Sequence, residues 1–325
     1  MKAVRIHSDG GPEVLRYEDA PDPEPRADEV LIELRAASLN HLDVWIRKGL
    51  PSVPKPRILG ADGAGVVVSG DAYEPGTRVV INPGIELGGG RITVVGEHSD
   101  GTHAERIAVP RTQVYPIPDG LTFEEAAAFP LVFETAYRML VTKARLAADE
   151  WVLTWGIGGG VSTAVLAIAK ALGAFVIVTS SSESKLARAR ELGADAALNH
   201  ETDDVAALTK ELTGGGAHIV VDHVGEATWA KSLNAARADG RICVCGATTG
   251  PNPPANLHRI WWKQLTIYGS TMGTREDFEA VYDLVASGKV KPVVDEVFPL
   301  AEAAAAHERL ERGEQLGKIV LRIPG

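Results

Sequence analysis

A glycine-rich turn between a strand pattern and a helix pattern constrains the fold of this chain more than any other feature. The strand pattern WVLTWG leads into the turn GIGGGVS at 156–162, and an apolar helical period follows over 161–172. Gly156 permits the turn, while Gly159 and Gly160 allow a close approach to the backbone. A strand that passes through such a turn into a helix N-terminus is the setting in which backbone N–H groups bind a pyrophosphate.

Strand and helix patterns continue to alternate behind this turn. Strand patterns lie at 175–180, 196–199, 218–225 and 241–247, and a helical pattern separates each from the next. Connections of this kind are right-handed and place helices on both faces of a parallel sheet. The middle of the chain is therefore predicted to be a doubly wound α/β domain.

The first third of the chain is instead rich in short β-branched runs separated by Gly, Pro and Asp turns. VLIEL, GVVVSG, TRVVINPG and ERIAVP lie between positions 30 and 110. The segment YPIPDG at 115–120 ends this region, and Thr122 with Glu125 forms a capping-box pattern for a helix. We predict a β-rich first domain that ends here. The last strand pattern of the chain, GKIVLRI, could close this first domain.

Composition and charge exclude several classes of partner. Of the 325 residues, 45% are apolar and 23% are charged, which is typical of a globular protein long enough for two domains. The formal net charge of −10 argues against general affinity for nucleic acid or anionic lipid. No apolar run approaches the roughly 20 residues that span a bilayer, and no signal-peptide pattern is present. We therefore expect a cytoplasmic protein, and its two cysteines, Cys243 and Cys245, fit a reducing compartment.

The residues after the second strand of the alternating region bear on the choice between NAD(H) and NADP(H). An Asp or Glu there would hydrogen-bond the adenine ribose and repel a 2′-phosphate. The chain instead reads TSSSESK at 179–185, where Ser180 and Ser181 supply hydroxyl groups and Lys185 supplies a positive charge. We therefore predict NADP(H). The alternative is that the serines cap the following helix and Lys185 is a solvent-exposed charge.

The sequence contains no spacing typical of a metal site. The histidines are scattered, without an i, i+4 pair or a Cys-x-x-Cys pattern, and two cysteines cannot form a four-thiolate zinc site. A site built from Asp62, His41 and Asp43 is the open alternative, although no spacing supports it. We predict that the protein binds no metal.

Several short motifs together carry a resemblance to a known family: SLNHLDVWIRKG, LGADGAG, GTRV, EEAAAFPLVFETAYRML, GIGGGVS, KALGA and GKIVL. Over essentially its full length the chain resembles the medium-chain dehydrogenase/reductase superfamily, in its zinc-independent quinone oxidoreductase branch, related to zeta-crystallin. The resemblance implies an α/β protein with two domains. A GroES-like β-rich catalytic domain would comprise residues 1–121 and 268–325, and an NADP-binding Rossmann domain residues 122–267.

The resemblance also implies that zinc ligands are missing. In the zinc alcohol dehydrogenases of the same superfamily a Cys stands at the position of Asn40, and Gly-His-Glu stands at Gly60-Ala61-Asp62. The lobe that holds a structural zinc in those enzymes corresponds to residues 82–105, which contain no cysteine. Asp62 is then interpreted as a carboxylate that orders its loop.

Matching positions in the family imply the site residues. Asn40 would position substrate or nicotinamide, Asp43 would hold that loop, and Trp45 would line the substrate cleft between the domains. A turn stabilised by the Asn and Asp side chains is the alternative for the first two. The residues expected to contact the cofactor are Thr135 near the nicotinamide ribose, Gly156, Gly159, Gly160 and Val161 at the pyrophosphate, Ser180, Ser181, Lys185 and His200 (in place of a more usual Tyr) at the 2′-phosphate, and Gly225, Gly246, Ala247, Ser270 and Thr271 at the ends of the later strands.

These features predict hydride transfer from NADPH to an electrophilic small molecule, a quinone or an α,β-unsaturated carbonyl, without zinc. An activated acceptor needs orientation and hydrogen-bond donors, whereas alcohol oxidation profits from a Lewis-acid metal. Two alternatives stay open: an NAD(P)-dependent alcohol dehydrogenase-like enzyme, and a nucleotide-binding protein with a structural or sensing role. Analogy with the family suggests a homodimer or homotetramer, with no nucleic-acid or membrane partner.

Overall fold

A computed structural model describes the whole chain from Met1 to Gly325. The chain forms two compact units. Unit 1 comprises Met1–Leu131 and Pro292–Gly325, and unit 2 comprises Val132–Lys291.

The first segment of unit 1 consists mostly of short strands. Their bounds are β1 Lys2–Ile6, β2 Leu15–Asp19, β3 Glu29–Ser38, β4 Arg57–Ile58, β5 Asp62–Ser69, β6 Arg78–Ile81, β7 Gly84–Gly88, β8 Arg91–Val94, β9 Arg106–Pro110 and β10 Val114–Pro116. The helices of this segment are α1 His41–Arg47 and α2 Phe123–Ala127, with 3-10 turns at Pro12–Val14 and Arg111–Gln113.

Strands and helices alternate through most of the rest of the chain. They are α3 Pro130–Tyr137, a π-helical stretch Arg138–Lys143, β11 Trp151–Thr154, α4 Gly160–Ala171, β12 Phe175–Ser180, α5 Glu183–Glu191, β13 Ala196–Asn199, α6 Val205–Thr213, β14 Ala217–Asp222, α7 Trp229–Ala235, β15 Ala236–Val244, α8 Leu257–Trp262, β16 Thr266–Gly269 and α9 Arg275–Ala286. The second segment of unit 1 contains β17 Val294–Pro299, a 3-10 turn Leu300–Glu302, α10 Ala303–Glu311 and β18 Lys318–Arg322.

The sheet of unit 2 is six-stranded, with the order β13-β12-β11-β14-β15-β16 and all pairs parallel. The predicted doubly wound α/β architecture is therefore confirmed. The strand order reverses between β11 and β14, and in such sheets ligands bind at the carboxyl ends of the strands beside this reversal. The glycine-rich turn follows β11 directly, so it lies at that position.

Unit 1 is built around the long strand β3, whose side chains alternate between the core and the other face. Its main sheet has the order β10-β6-β5-β3-β18-β17, with β9 also paired to β3; β2, β1 and β4 form a second sheet, and β7 with β8 a hairpin. Val30, Ile32 and Leu34 of β3 are fully buried in the core of this unit. At its end, β3 pairs Ser38 with Asp62 of β5 and with Val320 of β18. This register brings three distant segments of the chain together.

Both boundaries between the units lie later in the chain than the sequence predicted. The predicted capping box is present, since Thr122 Oγ1 accepts the Glu125 N–H at 3.1 Å and Glu125 Oε2 accepts the Thr122 N–H at 3.0 Å. The helix it starts, α2, packs on β3 and β5 and so belongs to unit 1. Residues 268–291, which the sequence assigned to the first domain, belong to unit 2, because Asp277 of α9 accepts a hydrogen bond from Thr142.

The β16 edge of the unit 2 sheet carries large exposed apolar side chains. Leu257, Trp261 and Trp262 of α8 are 69%, 59% and 69% exposed, and Ile267 of β16 is 39% exposed. None of the helices is long and apolar enough to span a lipid bilayer. Self-association of two or four copies stays a prediction.

Candidate active site

A buried polar cluster lies inside unit 1 and consists of Ser38, Asn40, Asp62 and Lys318. Asp62 Oδ2 accepts hydrogen bonds from Ser38 Oγ at 3.0 Å, Asn40 Nδ2 at 2.9 Å and Lys318 Nζ at 3.1 Å. Lys318 Nζ also donates to Asn40 Oδ1 at 2.5 Å. No member is more than 4% exposed. Because a buried charge is tolerated only when it is paired and hydrogen-bonded, the Lys318 ammonium and the Asp62 carboxylate depend on each other.

The backbone explains why these four residues meet. Ser38 ends β3 and faces Asp62 at the start of β5, while Lys318 starts β18, which pairs with β3 on the opposite side. Asn40 is the extended N-cap residue of α1. The second carboxylate oxygen of Asp62, Oδ1, accepts the N–H of Leu131 at 2.9 Å. Both carboxylate oxygens of Asp62 thus accept hydrogen bonds from the chain itself.

Asp43 joins the loop before α1 to the turn before β5. Its Oδ2 accepts the Asn40 N–H at 2.7 Å and its Oδ1 accepts the Gly60 N–H at 2.9 Å. Burial raises the pKa of Asp43 to about 7, although the two N–H donors and the charge of Lys318 act in the opposite direction. Trp45 lies two residues further along α1 and is half-buried. The predicted residues Asn40 and Asp43 are therefore both held inside the unit.

Two buried histidines lie next to this region and were not singled out by the sequence. The rings of His103 and His307 meet edge to face with centroids 6.2 Å apart. A Cβ atom at Gly60, where φ is +96°, would lie 2.4 Å from His103 Cδ2, so only glycine fits there. His307 Nδ1 lies 3.2 Å from Nη1 of Arg47, which is itself fully buried.

Burial keeps both imidazoles neutral. It lowers the pKa of His103 to about 3, with the charge of Lys318 acting in the same direction. Burial also lowers the pKa of His307 well below its usual value, assisted by His103 and Arg47. The backbone of Ser38 acts on His103 in the direction opposite to burial, and Nδ1 of His307 lies beside Arg47. The two rings are therefore neutral at neutral pH, and protonation in acid would destabilise the fold.

The donors of unit 1 do not fit a zinc ion. No group of three or more His, Cys, Asp or Glu side chains in the chain is arranged to hold a metal. Asn40 stands at the position of a zinc ligand of the zinc-dependent enzymes, and Asp62 stands next to the position of another. The Asp62 carboxylate is already neutralised by the Lys318 ammonium. A divalent cation at Asp62 would have to take the place of that ammonium and leave it unpaired in a buried position.

The glycine-rich turn of unit 2 has the geometry of a phosphate-binding loop. Gly156 has φ +64°, and its N–H donates to Thr179 Oγ1 at 3.1 Å. Gly159 caps α4, so the N–H groups of Gly160 and Val161 begin the helix and have no carbonyl one turn back to bond. These groups and the helix dipole favour an anion at this point.

Ser162, which replaces the usual third glycine, has a local function in the turn. Its hydroxyl donates to the carbonyl oxygens of Gly156 at 2.8 Å and Gly159 at 3.1 Å. These bonds fix the turn from the helix side. The departure from the usual glycine pattern therefore stabilises the loop.

Open space and unpartnered polar atoms show that a polar ligand fits beside this loop. A Cβ atom built at Gly156 would have only His223 Nε2 within 4 Å, at 3.8 Å, apart from its chain neighbours. Ser270 Oγ and His223 Nδ1, both after carboxyl ends of strands in the same sheet, are buried without a hydrogen-bond partner. The unit therefore suits a dinucleotide cofactor.

The residues predicted to contact a 2′-phosphate lie at the ends of β12 and β13. Ser181 is exposed, whereas Ser180 is buried and its Oγ accepts the Ser182 N–H at 3.1 Å. Ser182 caps α5 through the Lys185 N–H. His200 follows β13, places Nδ1 3.4 Å from Thr179 Oγ1, and has its pKa lowered by burial. Helix capping thus explains the serine at position 182. It does not explain the serine at position 181, which is exposed to solvent.

The other predicted cofactor residues follow the same end of the sheet. Gly225 comes after β14, Gly246 and Ala247 after β15, and Ser270 and Thr271 after β16. Gly225 has φ +92°, and a Cβ atom there would lie 2.4 Å from the carbonyl oxygen of Gly250, so this position requires glycine. Thr135 is buried in α3.

Comparison with known proteins places the chain in a family. Residues 26–119 match the family "Alcohol dehydrogenase GroES-like domain" and residues 160–287 match "Zinc-binding dehydrogenase". The quinone oxidoreductase of Pseudomonas aeruginosa is 32% identical, over 98% of this chain and 99% of its own length. The chain belongs to the medium-chain dehydrogenase/reductase superfamily, in its quinone oxidoreductase branch. It is an NAD(P)-dependent oxidoreductase with a GroES-like domain.

Two solved structures are similar over nearly the whole chain. An NAD-dependent alcohol dehydrogenase is 42% identical with a TM-score of 0.96, covering 100% of both chains. A 2-octenoyl-CoA carboxylase reductase, solved with NADP and 2-octenoyl-CoA, is 28% identical with a TM-score of 0.91, covering 99% of this chain and 87% of that chain.

Proposed function

We propose that this enzyme reduces a quinone or an α,β-unsaturated carbonyl compound with NADPH and without zinc. The observation that carries the proposal is the polar cluster of unit 1, in which the Lys318 ammonium is bonded to Asn40 and Asp62. This pairing holds Asn40 in place and leaves no ligand set to activate a simple alcohol, whereas an already activated acceptor needs only orientation and hydrogen-bond donors. The similar carboxylase reductase was solved with 2-octenoyl-CoA, an α,β-unsaturated acyl compound.

The chain's own residues hold and orient the reactants. When bound, NADPH supplies the hydride. The free N–H groups at the start of α4 bind its pyrophosphate. Asn40 uses one Nδ2 hydrogen for Asp62 and presents the other to the acceptor oxygen, while Asp43 fixes the Asn40 backbone. Trp45 packs against the acceptor, and a solvent proton completes the product.

An acceptor panel tests this reaction. Purified enzyme, stripped of metal with a chelator and checked by elemental analysis, is expected to oxidise NADPH with naphthoquinone or cyclohexenone at an unchanged rate after chelation. Alcohol-dependent reduction of NADP⁺ that disappears with the metal would contradict the proposal and favour an alcohol dehydrogenase. Cofactor binding with no turnover on any acceptor would also contradict it and favour a structural or sensing role.

The choice of NADPH rests on the end of β12, where Ser180 and Ser181 stand in place of an Asp or Glu. Replacing Ser181 with aspartate is expected to weaken NADPH binding about tenfold, because the new charge repels the 2′-phosphate. NADH binding should stay equal or improve, since the carboxylate can accept hydrogen bonds from the ribose hydroxyls. Dissociation constants from protein fluorescence would measure both effects.

An aspartate elsewhere serves as the control for the added charge. Ser52 is exposed in unit 1, and Ser52→Asp changes the net charge by the same amount. This variant should bind both cofactors like the unmodified enzyme. Equal affinity of the unmodified enzyme for NADH and NADPH, or an unchanged ratio in Ser181→Asp, would refute the NADPH preference.

An alcohol dehydrogenase-like reaction is the second candidate. The solved relative that is 42% identical is described as an NAD-dependent alcohol dehydrogenase. The acceptor panel separates the two candidates, because only this one requires alcohol-dependent cofactor reduction.

A further inference from the structure

His223 lies at the reversal of strand order in the unit 2 sheet. It directly follows β14, whose neighbour β11 leads into the glycine-rich turn. Its Nε2 atom is 3.8 Å from the position of a Cβ atom at Gly156 and 3.9 Å from that of one at Gly159. The imidazole therefore borders the loop on the side that the two glycines leave open.

The side chain of His223 has no structural hydrogen bond that would explain its position. The residue is half-buried: Nδ1 is enclosed without a partner, whereas Nε2 is not enclosed and faces the space beside Gly156. Burial lowers the pKa of His223, opposed only by the charge of Asp222. The carboxylate of Asp222 is itself occupied by Thr228, Ser232 and two backbone N–H groups. The chain thus bonds neither ring nitrogen of His223, and polar groups placed at a loop in this way need a reason.

An anion beside Gly156 would give Nε2 the partner that the chain does not provide. A neutral imidazole with its proton on Nε2 donates one directional hydrogen bond toward the loop. The helix N-terminus of α4 offers further N–H donors to the same space, so the imidazole and the helix converge on one ligand. Leucine or valine at this position would pack against the loop but donate nothing.

We propose that His223 is a cofactor-binding residue whose Nε2–H donates to a pyrophosphate oxygen of the bound dinucleotide. The proposal rests on the binding of an NAD(P) cofactor at the glycine-rich turn, and applies equally to NADPH and NADH because both contain the pyrophosphate. It is independent of the acceptor that the enzyme reduces.

Three substitutions of His223 distinguish the loss of its hydrogen bond to the cofactor from the loss of its packing against the loop. Glutamine can place its side-chain N–H₂ near the position of Nε2, asparagine reaches only to that of Nδ1, and phenylalanine keeps the ring without a donor. We expect His223→Phe and His223→Asn to weaken binding of NADPH, NADH and ADP-ribose about ten- to a hundredfold. His223→Gln should stay within about threefold of the unmodified enzyme. Titration calorimetry measures each dissociation constant.

Three controls test whether weaker binding in the His223 variants comes from a lost contact to the pyrophosphate or from a change in the structure of unit 2. Adenosine 2′-monophosphate has no pyrophosphate, so its affinity should be the same for every His223 variant. His218 lies near the opposite end of the same strand, and His218→Phe should bind all ligands normally. The melting temperature of His223→Phe should be equal to or above that of the unmodified enzyme, because the substitution removes an unpartnered buried nitrogen.

Two results would overturn the proposal. One is an unchanged affinity of His223→Phe for ADP-ribose. The other is equal weakening of the binding of adenosine 2′-monophosphate together with a lower melting temperature, which would show a structural role. If NADPH binds no better than NADH, the proposed cofactor preference fails, whereas NADH and ADP-ribose still test His223.

Discussion

Replacing Lys318 with methionine is expected to lower the free energy of unfolding by about 3–5 kcal/mol. The substitution keeps most of the side-chain volume but leaves the Asp62 carboxylate, which is 0% exposed, without its opposite charge. Ser38, Asn40 and the Leu131 N–H would still donate to it. Because whole domains are stable by only about 5–15 kcal/mol, this loss is large. Urea unfolding followed by circular dichroism at neutral pH would measure it.

A double variant tests whether the loss comes from the broken pair. Asp62→Asn combined with Lys318→Met removes both charges and retains the shapes of the side chains. We expect this variant to recover at least half of the stability that Lys318→Met loses, because a neutral amide is cheaper to bury than an unpaired carboxylate. Additive losses in the double variant, or a loss below about 1 kcal/mol in Lys318→Met, would show that the pair is not coupled.

The buried histidines should make the enzyme sensitive to acid. His103, whose pKa is lowered to about 3, and His307 are neutral in the folded protein, while in the unfolded chain each binds a proton below about pH 6.5. Their contribution to stability is therefore complete above pH 6.5 and is lost as the pH falls toward 3. His103→Leu and His307→Leu should each reduce the slope of unfolding free energy against pH by about 1.4 kcal/mol per pH unit near pH 5.

Comparing the variants with the unmodified enzyme, in the slope of unfolding free energy against pH, isolates the contribution of the two histidines from that of other titrating groups. Asp43, whose pKa is raised to about 7, acts in the opposite direction, because its burial destabilises the fold as the pH rises from about 4 to 7. This contribution is common to all variants and cancels in the difference. The double variant should show twice the change of either single one. Identical slopes in all variants would contradict the neutral state of the buried pair.

Local patterns were sufficient to predict the fold of unit 2. The alternation of strand and helix periods, together with the glycine-rich turn, defined the parallel sheet and the loop at its carboxyl end. The Thr122–Glu125 pattern defined α2, because a capping box depends only on neighbouring residues. The helix α8 and the exposed strand β16 were not predicted, since they carry apolar side chains at the surface and therefore lack the periodicity of a buried face.

The polar cluster could not be predicted, because its members are far apart in the sequence. Lys318 is separated from Asn40 by 278 positions, and a lysine at the start of a strand ordinarily has an exposed ammonium group. One signal was available: in GKIVL, Lys318 opens a strand whose next three residues are apolar and buried. His223 was missed for a different reason, because a single histidine after a strand has no partner pattern in the sequence.

The division of unit 1 into two segments has a consequence for synthesis on the ribosome. Asp62 is made 256 residues before Lys318, which at about 5–20 residues per second amounts to about 10–50 s. Throughout this interval the nascent chain contains Asp62 without its counter-ion and β3 without the strand that pairs beside Ser38. Unit 2 comes from one continuous stretch, and its residues are complete before β17 and β18 are translated. The nucleotide-binding half of the enzyme can thus fold before the polar cluster is complete.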